Sequence, residues 1–179
     1  MKALLALTKK GVVTRDEGEK LIQAKKGAGD FAAEAIEKGY SVGLIKFFTN
    51  AVHLCDAVGD VSTLYRHIEG IETEGSTDMA AGINIAISNL ENKKGSRVMV
   101  IVTDGMPDNE DKAIANANYA KKLGIDIMTI GTDNAKKDFL QAIASRTSLG
   151  SSLGFKVSRR CFGEEIRISA KKLPLLLTA

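Results

Sequence analysis

The residues best suited to chemistry in this chain collect at the ends of apolar runs. Arg97-Val98-Met99-Val100-Ile101-Val102-Thr103-Asp104-Gly105-Met106-Pro107-Asp108 passes from five consecutive apolar residues straight into Thr-Asp-Gly and a Gly-Met-Pro-Asp turn. A carboxylate at the carboxyl tip of a buried strand stands where open α/β sheets bind ligands, which makes Asp104 the first candidate. It can take backbone N–H bonds, cap the next turn or hold a cation. Met106, Pro107, Asp108 and Asn109 follow as a contact surface or an N-cap device, and Asp108 at the helix start has the chemistry of a cap. A second group is Glu74-Gly75-Ser76-Thr77-Asp78, two hydroxyls followed by a carboxylate where a helix opens. A third is Thr8-Lys9-Lys10-Gly11-Val12, behind the first apolar run, with the hydroxyl of Thr8 and the ammonium of Lys10.

Other chemistries are poorly provided for. The chain has neither Gly-x-Gly-x-x-Gly after a strand nor a Gly-x-x-x-x-Gly-Lys-Ser/Thr phosphate loop, and no plausible Ser-His-Asp or Cys-His set. His53 and His67 share no ligand spacing with Cys or Asp and read as packed or surface imidazoles. Cys55 and Cys161 stand far apart, outside any metal-ligand spacing, as expected of two buried thiols in a reducing compartment.

The elements that position these groups follow from periodicity. Ala3 to Leu7 reads as a first strand. Thr14-Arg15-Asp16-Glu17 has capping-box spacing, and Leu21, Ala24, Ala28, Phe31, Ala32, Ala35 and Ile36 continue one helical stripe to about Glu37. Gly27 and Gly29 inside it suggest close approach to the sheet. Ser41 to Phe48 and Asn50 to Leu54 read as a strand pair turning back through Thr49-Asn50. A short helix over Asp60 to Glu69 should carry Val61, Leu64, Tyr65 and Ile68 on one side, and a longer one should bury Met79, Ile83, Ala86, Ile87 and Leu90. The run at Val98 to Val102 is buried on both faces and is expected in the middle of the sheet. A helix over Asp108 to Leu123 closed by Gly124, a strand over Ile125 to Ile130 and a helix through about Arg146 complete the alternation. Residues 147–154 read as a loop, Phe155 to Val157 as an edge strand and Gly163 to Leu175 as a last helix. The fold class is therefore α/β: a doubly wound, mostly parallel central sheet with one antiparallel edge strand and helices on both faces, in a single domain over residues 1–179.

Bulk properties narrow the function. Hydrophobic residues are 44% and charged residues 26% of 179, ordinary for a globular chain. Trp is absent and aromatics are 5%, too few for a stacking platform on single-stranded nucleic acid. The net charge of +3 is dispersed in lysine and arginine doublets along the whole length, the pattern of solvated helix faces and not of a nucleic-acid patch. Lys9 and Lys10 interrupt the opening apolar run before it becomes a signal-peptide core, and no later segment is long enough to span a bilayer. The expectation is a soluble cytoplasmic protein.

In order and spacing, three blocks resemble the von Willebrand factor type A domain. They are Glu74-Gly75-Ser76-Thr77-Asp78, Val100-Ile101-Val102-Thr103-Asp104-Gly105, and Ala120-Lys121-Lys122-Leu123-Gly124-Ile125-Asp126-Ile127 leading to Ile130-Gly131-Thr132. The resemblance implies a Rossmann-like fold and a metal-ion-dependent adhesion site at the carboxyl edge of the sheet, suited to Mg²⁺ and a partner's carboxylate. Thr77 and Asp104 match that site's loop threonine and strand-end aspartate. Its Asp-x-Ser-x-Ser motif falls on Thr8, Lys10 and Val12, and no serine occurs before Ser41. A carboxylate and two hydroxyls are replaced by a set that includes an ammonium, so metal binding is expected to be weak or absent. The Lys10 ammonium in the cation's place would neutralise Asp104 and could meet a partner carboxylate.

The resemblance thus implies a non-enzymatic module that binds a protein through Thr8, Lys10, Ser76, Asp78, Met106 and Asp108, with Thr77 and Asp104 as vestigial metal ligands. Two alternatives stay open: a working Mg²⁺ site that binds a partner carboxylate, and a nucleotide- or phosphoester-handling α/β enzyme.

Overall fold

A computed structural model describes residues 2–7, 15–72, 76–103, 106–131 and 136–145. In chain order the elements are β1 (Lys2–Leu7), α1 (Arg15–Glu37), β2 (Ser41–Phe47), β3 (Ala51–Val58), α2 (Val61–Glu69), α3 (Met79–Leu90), β4 (Arg97–Thr103), α4 (Glu110–Lys122), β5 (Asp126–Gly131) and α5 (Lys137–Ile143). The strands lie in the order β3-β2-β1-β4-β5. β1 pairs in parallel with β2 and β4, β4 pairs in parallel with β5, and β3 runs antiparallel to β2 at the edge.

Alternation along β4 generates two cores. Successive side chains of a strand point to opposite faces, so a strand apolar at every position must be covered twice. Val98, Val100 and Val102 pack with Ala28, Phe31, Ala32 and Ala35 of α1 and with Leu64 and Ile68 of α2. Met99 and Ile101 pack on the other face with Met79, Ile83 and Ala86 of α3, with Ala113, Ala117 and Ala120 of α4, and with Phe139 and Ile143 of α5. The α3 stripe is buried as expected, and so are Ala28, Phe31, Ala32 and Ala35 of the α1 stripe, with Ile36 partly buried beside them.

The middle strand of the five is β1, with β4 beside it. Two-sided burial identified β4 as interior, but strand order depends on crossovers that composition does not encode. β3 continues to Val58, well past Leu54. Its register against β2 shifts between Val42 and Leu44 and again between Leu44 and Ile45. Such irregularities break the two-residue period from which the strand end was judged. As a result Cys55 joins the α1/α2 core while His53, two residues away, bonds Asn89 of α3. α5 stops at Ile143, short of Arg146, because Ser145 exchanges hydrogen bonds with β5: its N–H donates to the Ile127 carbonyl at 3.0 Å and its Oγ accepts from Ile127 N at 2.7 Å. Gly124, at φ 73°, closes α4 in the left-handed conformation as expected. The Phe155 to Val157 strand, the Gly163 to Leu175 helix and the Thr14 capping hydroxyl lie outside the described residues.

Two glycines mark close approaches, and neither contact is the one expected from α1. A Cβ on Gly29 would stand 2.5 Å from Cε1 of Tyr65, so α1 is drawn close to α2 there and not to the sheet. Tyr65, on the same side of α2 as the buried Leu64 and Ile68, lies over that glycine and stays 37% exposed. A Cβ on Gly82 of α3 would meet Cγ, Cβ and Cδ1 of Phe47 at 3.0 to 3.1 Å, and Phe47 is fully buried. Both replacements by alanine gain about 1 kcal/mol of helix propensity, but only the Tyr65 ring can swing into solvent to make room. Gly82→Ala should therefore destabilise by about 1–3 kcal/mol and Gly29→Ala by less than about 1 kcal/mol, read from urea midpoints. Equal costs would contradict this packing.

Candidate functional site at the carboxyl edge of the sheet

Parallel pairing aims β1, β2, β4 and β5 the same way, so Leu7, Phe47, Thr103 and Gly131 all end at one edge. The segments at 48–50, 76–78 and 106–109 meet there. Among the described residues the buried polar side chains are Thr77 and Thr103, each 1% exposed. Among the described residues these two buried polar side chains lie toward the edge where open sheets bind their ligands.

The loop before α3 is held from two sides. Ser76 N–H donates to Thr49 Oγ1 at 3.3 Å, Thr77 N–H to Asp108 Oδ2 at 3.0 Å, and Asp78 N–H to the Phe48 carbonyl at 2.6 Å. Asp108 N–H donates back to the Thr77 carbonyl at 3.0 Å. Asp78 caps α3, its Oδ1 accepting from Ala81 N at 2.9 Å, as its place at a helix start predicts. Thr77 Oγ1 is buried and has no hydrogen-bond partner among the described residues.

Asp108 is not the cap of α4. Asn109 fills that role, its Oδ1 accepting from Lys112 N at 2.9 Å, and α4 begins one residue later at Glu110. Asp108 is left to reach across to Thr77. Either residue could cap, and local sequence cannot choose between an acceptor used one turn ahead and one used by another loop. Next to it, Lys136 bonds both carboxylate oxygens of Glu110 at 3.1 and 3.2 Å and ties the start of α5 to the start of α4.

Of the expected site residues, Ser76, Thr77, Asp78 and Asp108 come together, with Met106 half-buried two residues before Asp108. Thr8, Lys10 and Asp104 lie outside the described residues. Sequence reasoning missed Thr49, whose hydroxyl braces Ser76; it included Asn109 in the N-cap group but preferred Asp108 for the cap that Asn109 forms. The hairpin tip drew attention only as a turn, although the parallel direction of β2 puts it on this edge.

The remaining reactive side chains are engaged elsewhere. Burial first, and then the Asp56 carboxylate, raise the Cys55 thiol above its ordinary value against a weaker opposing effect of Arg66, which keeps it protonated and a poor nucleophile. Asn89 Nδ2 donates to the Ile85 carbonyl at 2.8 Å and faces His53 Nδ1 at 2.9 Å. A donor at that position makes Nδ1 an acceptor and leaves the ring proton on Nε2, 3.0 Å from Asp56 Oδ1 but out of hydrogen-bond alignment. His53 is a packed imidazole, as expected, and His67 is exposed. Among the described residues no group of three or more His, Cys, Asp or Glu side chains could hold a metal ion. The unpaired Thr77 hydroxyl has the chemistry of a single oxygen ligand, and one such ligand does not make a site.

A model of the von Willebrand factor type A domain matches residues 17–160. The match begins after β1 and after the Thr8 to Val12 segment. Among curated proteins none matches the chain in sequence. Similar solved structures include the von Willebrand factor domain of the type V pili tip protein Mfa5 from Porphyromonas gingivalis, with a TM-score of 0.74, 12% identity, and coverage of 81% of this chain and 86% of that one. Proximal thread matrix protein 1 from the mussel byssus has a TM-score of 0.69 and 14% identity over 80% of this chain, which spans 40% of the length of that protein. Another structure of that byssus protein has zinc in its adhesion motif, with a TM-score of 0.70 and 15% identity over 82% of this chain and 39% of that one. BatB from Bacteroides thetaiotaomicron has a TM-score of 0.66 and 18% identity, over 80% of this chain and 84% of that one. At such identities the likeness is one of fold.

A buried hydroxyl without a partner costs about 1–3 kcal/mol. Thr77→Val, which keeps the branched shape and both backbone bonds to Asp108, should therefore stabilise the isolated chain by about 1 kcal/mol in chelator-containing buffer, measured by urea unfolding. A loss of stability of that size would mean that the hydroxyl is satisfied within the chain.

Proposed function

Because the chain belongs to the von Willebrand factor type A domain family, commonly a family of protein-interaction modules, we propose that it is a non-enzymatic module that docks a protein partner through the carboxyl edge of its sheet, with weak or no metal dependence. The observation that carries this reading is the loop before α3, fixed by Thr49, Phe48 and Asp108 while the Thr77 hydroxyl is left without a bond. A preorganised edge binds at a lower entropic cost than a mobile one. Ser76, Asp78, Met106 and Asp108 supply its described contact groups, and Thr8 and Lys10 belong to the same surface in this proposal.

The donor set does not fit a tight divalent site. Mg²⁺ requires near-octahedral oxygen coordination, usually with one or two carboxylates. Thr8, Lys10 and Val12 stand where the family motif places its carboxylate and hydroxyls, leaving Thr77 and Asp104 as vestigial ligands. The family match begins downstream of those positions, in keeping with their divergence. In this reading the Lys10 ammonium takes the cation's place beside Asp104. A second reading, Mg²⁺ bridging a partner carboxylate, is favoured by one observation, the unpaired hydroxyl of Thr77 itself.

An enzyme of the nucleotide or phosphoester class gains no support from a protonated Cys55 and a packed His53. Dispersed basic doublets argue against nucleic acid as the partner. No helix among the described residues is long and apolar enough to cross a membrane. The buried free thiol of Cys55 is the ground for placing the protein in the cytoplasm.

The test is affinity capture from the source cell on the immobilised chain, in EDTA and in millimolar Mg²⁺. The expected result is equal capture in both buffers, lost when residues 106–109 are altered or when Lys10 is replaced by alanine. Capture that requires Mg²⁺ would replace this reading with the second one. Capture indifferent to the loop would remove the edge from the function.

A further inference from the structure

Asp108 is solvent-exposed and capable of capping α4, yet its carboxylate is spent on the backbone of another loop. Asn109 takes over the capping, so the bond to Thr77 N–H does not follow from the needs of the α4 N-terminus. The contact is two-sided, with Thr77 N–H donating to the carboxylate and Asp108 N–H donating to the Thr77 carbonyl, both at 3.0 Å. Three consecutive amides of the loop, at Ser76, Thr77 and Asp78, are consumed by groups from two other loops. Bracing alone would leave the Thr77 side chain free to find a partner. It is instead 1% exposed with its hydroxyl unpaired, a cost tolerated when surrounding structure over-determines a group's position.

From this geometry we infer that Asp108 is the positioning residue of the edge: its carboxylate and amide fix the backbone of Thr77 so that the buried threonine hydroxyl is held in one orientation beneath it. The inference rests on reading this edge as the docking surface, and it identifies the residue that sets its geometry. Among the described residues the carboxylate is the only contact in the Thr77 clamp that comes from an ionisable side chain; the others come from backbone and from the Thr49 hydroxyl. Substitution at Asp108 therefore acts on Thr77 first, while the cores on either side of β4 contain neither residue.

The test uses the full isotope-labelled chain with Asp108→Ala and Asp108→Asn, read by amide hydrogen exchange and by the three-bond coupling that reports the Thr77 χ1 rotamer. In Asp108→Ala the Thr77 amide should exchange about tenfold faster and its coupling should average over rotamers, while the β4 amides keep their protection. Asp108→Asn retains an acceptor and should restore both signals to within about threefold of the native chain. Unchanged Thr77 exchange and coupling in Asp108→Ala would overturn the inference. So would a rise at Thr77 matched by an equal rise across β4, which marks general destabilisation. If Asp108→Ala does not fold, Asp108→Asn decides: native Thr77 signals support the role, and an averaged coupling refutes it. Failure of the native chain to capture a partner defeats the docking reading alone, since the exchange and coupling measurements involve no partner.

Discussion

Two hydrogen bonds of 3.0 Å between Thr77 and Asp108 join loops that belong to different crossovers of the sheet. They can form because β1, β2, β4 and β5 all run the same way, which brings the chain out of the sheet at one edge four times. Parallel pairing in turn depends on both faces being covered, and β4 meets that demand by being apolar at each position from Val98 to Val102. Without α1 and α2 on one face and α3, α4 and α5 on the other, the sheet would expose that strand and the loops would lose their common anchor. The surface chemistry of the edge is thus a consequence of aliphatic burial beneath it.

Much of this architecture was legible before any coordinates. The helical stripe at Ala28, Phe31, Ala32 and Ala35 and the stripe at Met79, Ile83, Ala86 and Leu90 are long and strongly periodic, and both are buried. Where reading fell short, a non-local contact had overridden a local signal. The end of β3 was obscured by register shifts against β2, and the end of α5 by Ser145 pairing with Ile127 of β5. Gly29 announces a close approach in the sequence, but nothing local says that the neighbour is Tyr65 and not the sheet.

The candidate site divides in the same way. Asp78 capping α3 is a matter of a few residues and was read correctly. Asp108 was assigned the same task, and Asn109 performs it instead. The partner of Asp108 lies 31 residues away, beyond the reach of any capping rule. Thr49 was invisible as a site residue because its importance comes from strand direction and not from its neighbours. The family match covers residues 17–160 and supports the fold, and the chemistry of the edge rests on Thr77, Asp108 and the residues beside them.

An adhesion site normally uses a divalent ion to hold its loops and to meet its partner. Here the described loops are already held by hydrogen bonds, and the proposed function has Thr8, Lys10 and Val12 offering little to an ion. The most direct measurement is calorimetric titration of the purified chain with Mg²⁺ and with Mn²⁺ at low ionic strength. The account predicts no saturable heat in the micromolar range for either ion. Micromolar affinity that disappears in Thr77→Val would contradict it and restore a metal to the centre of this edge.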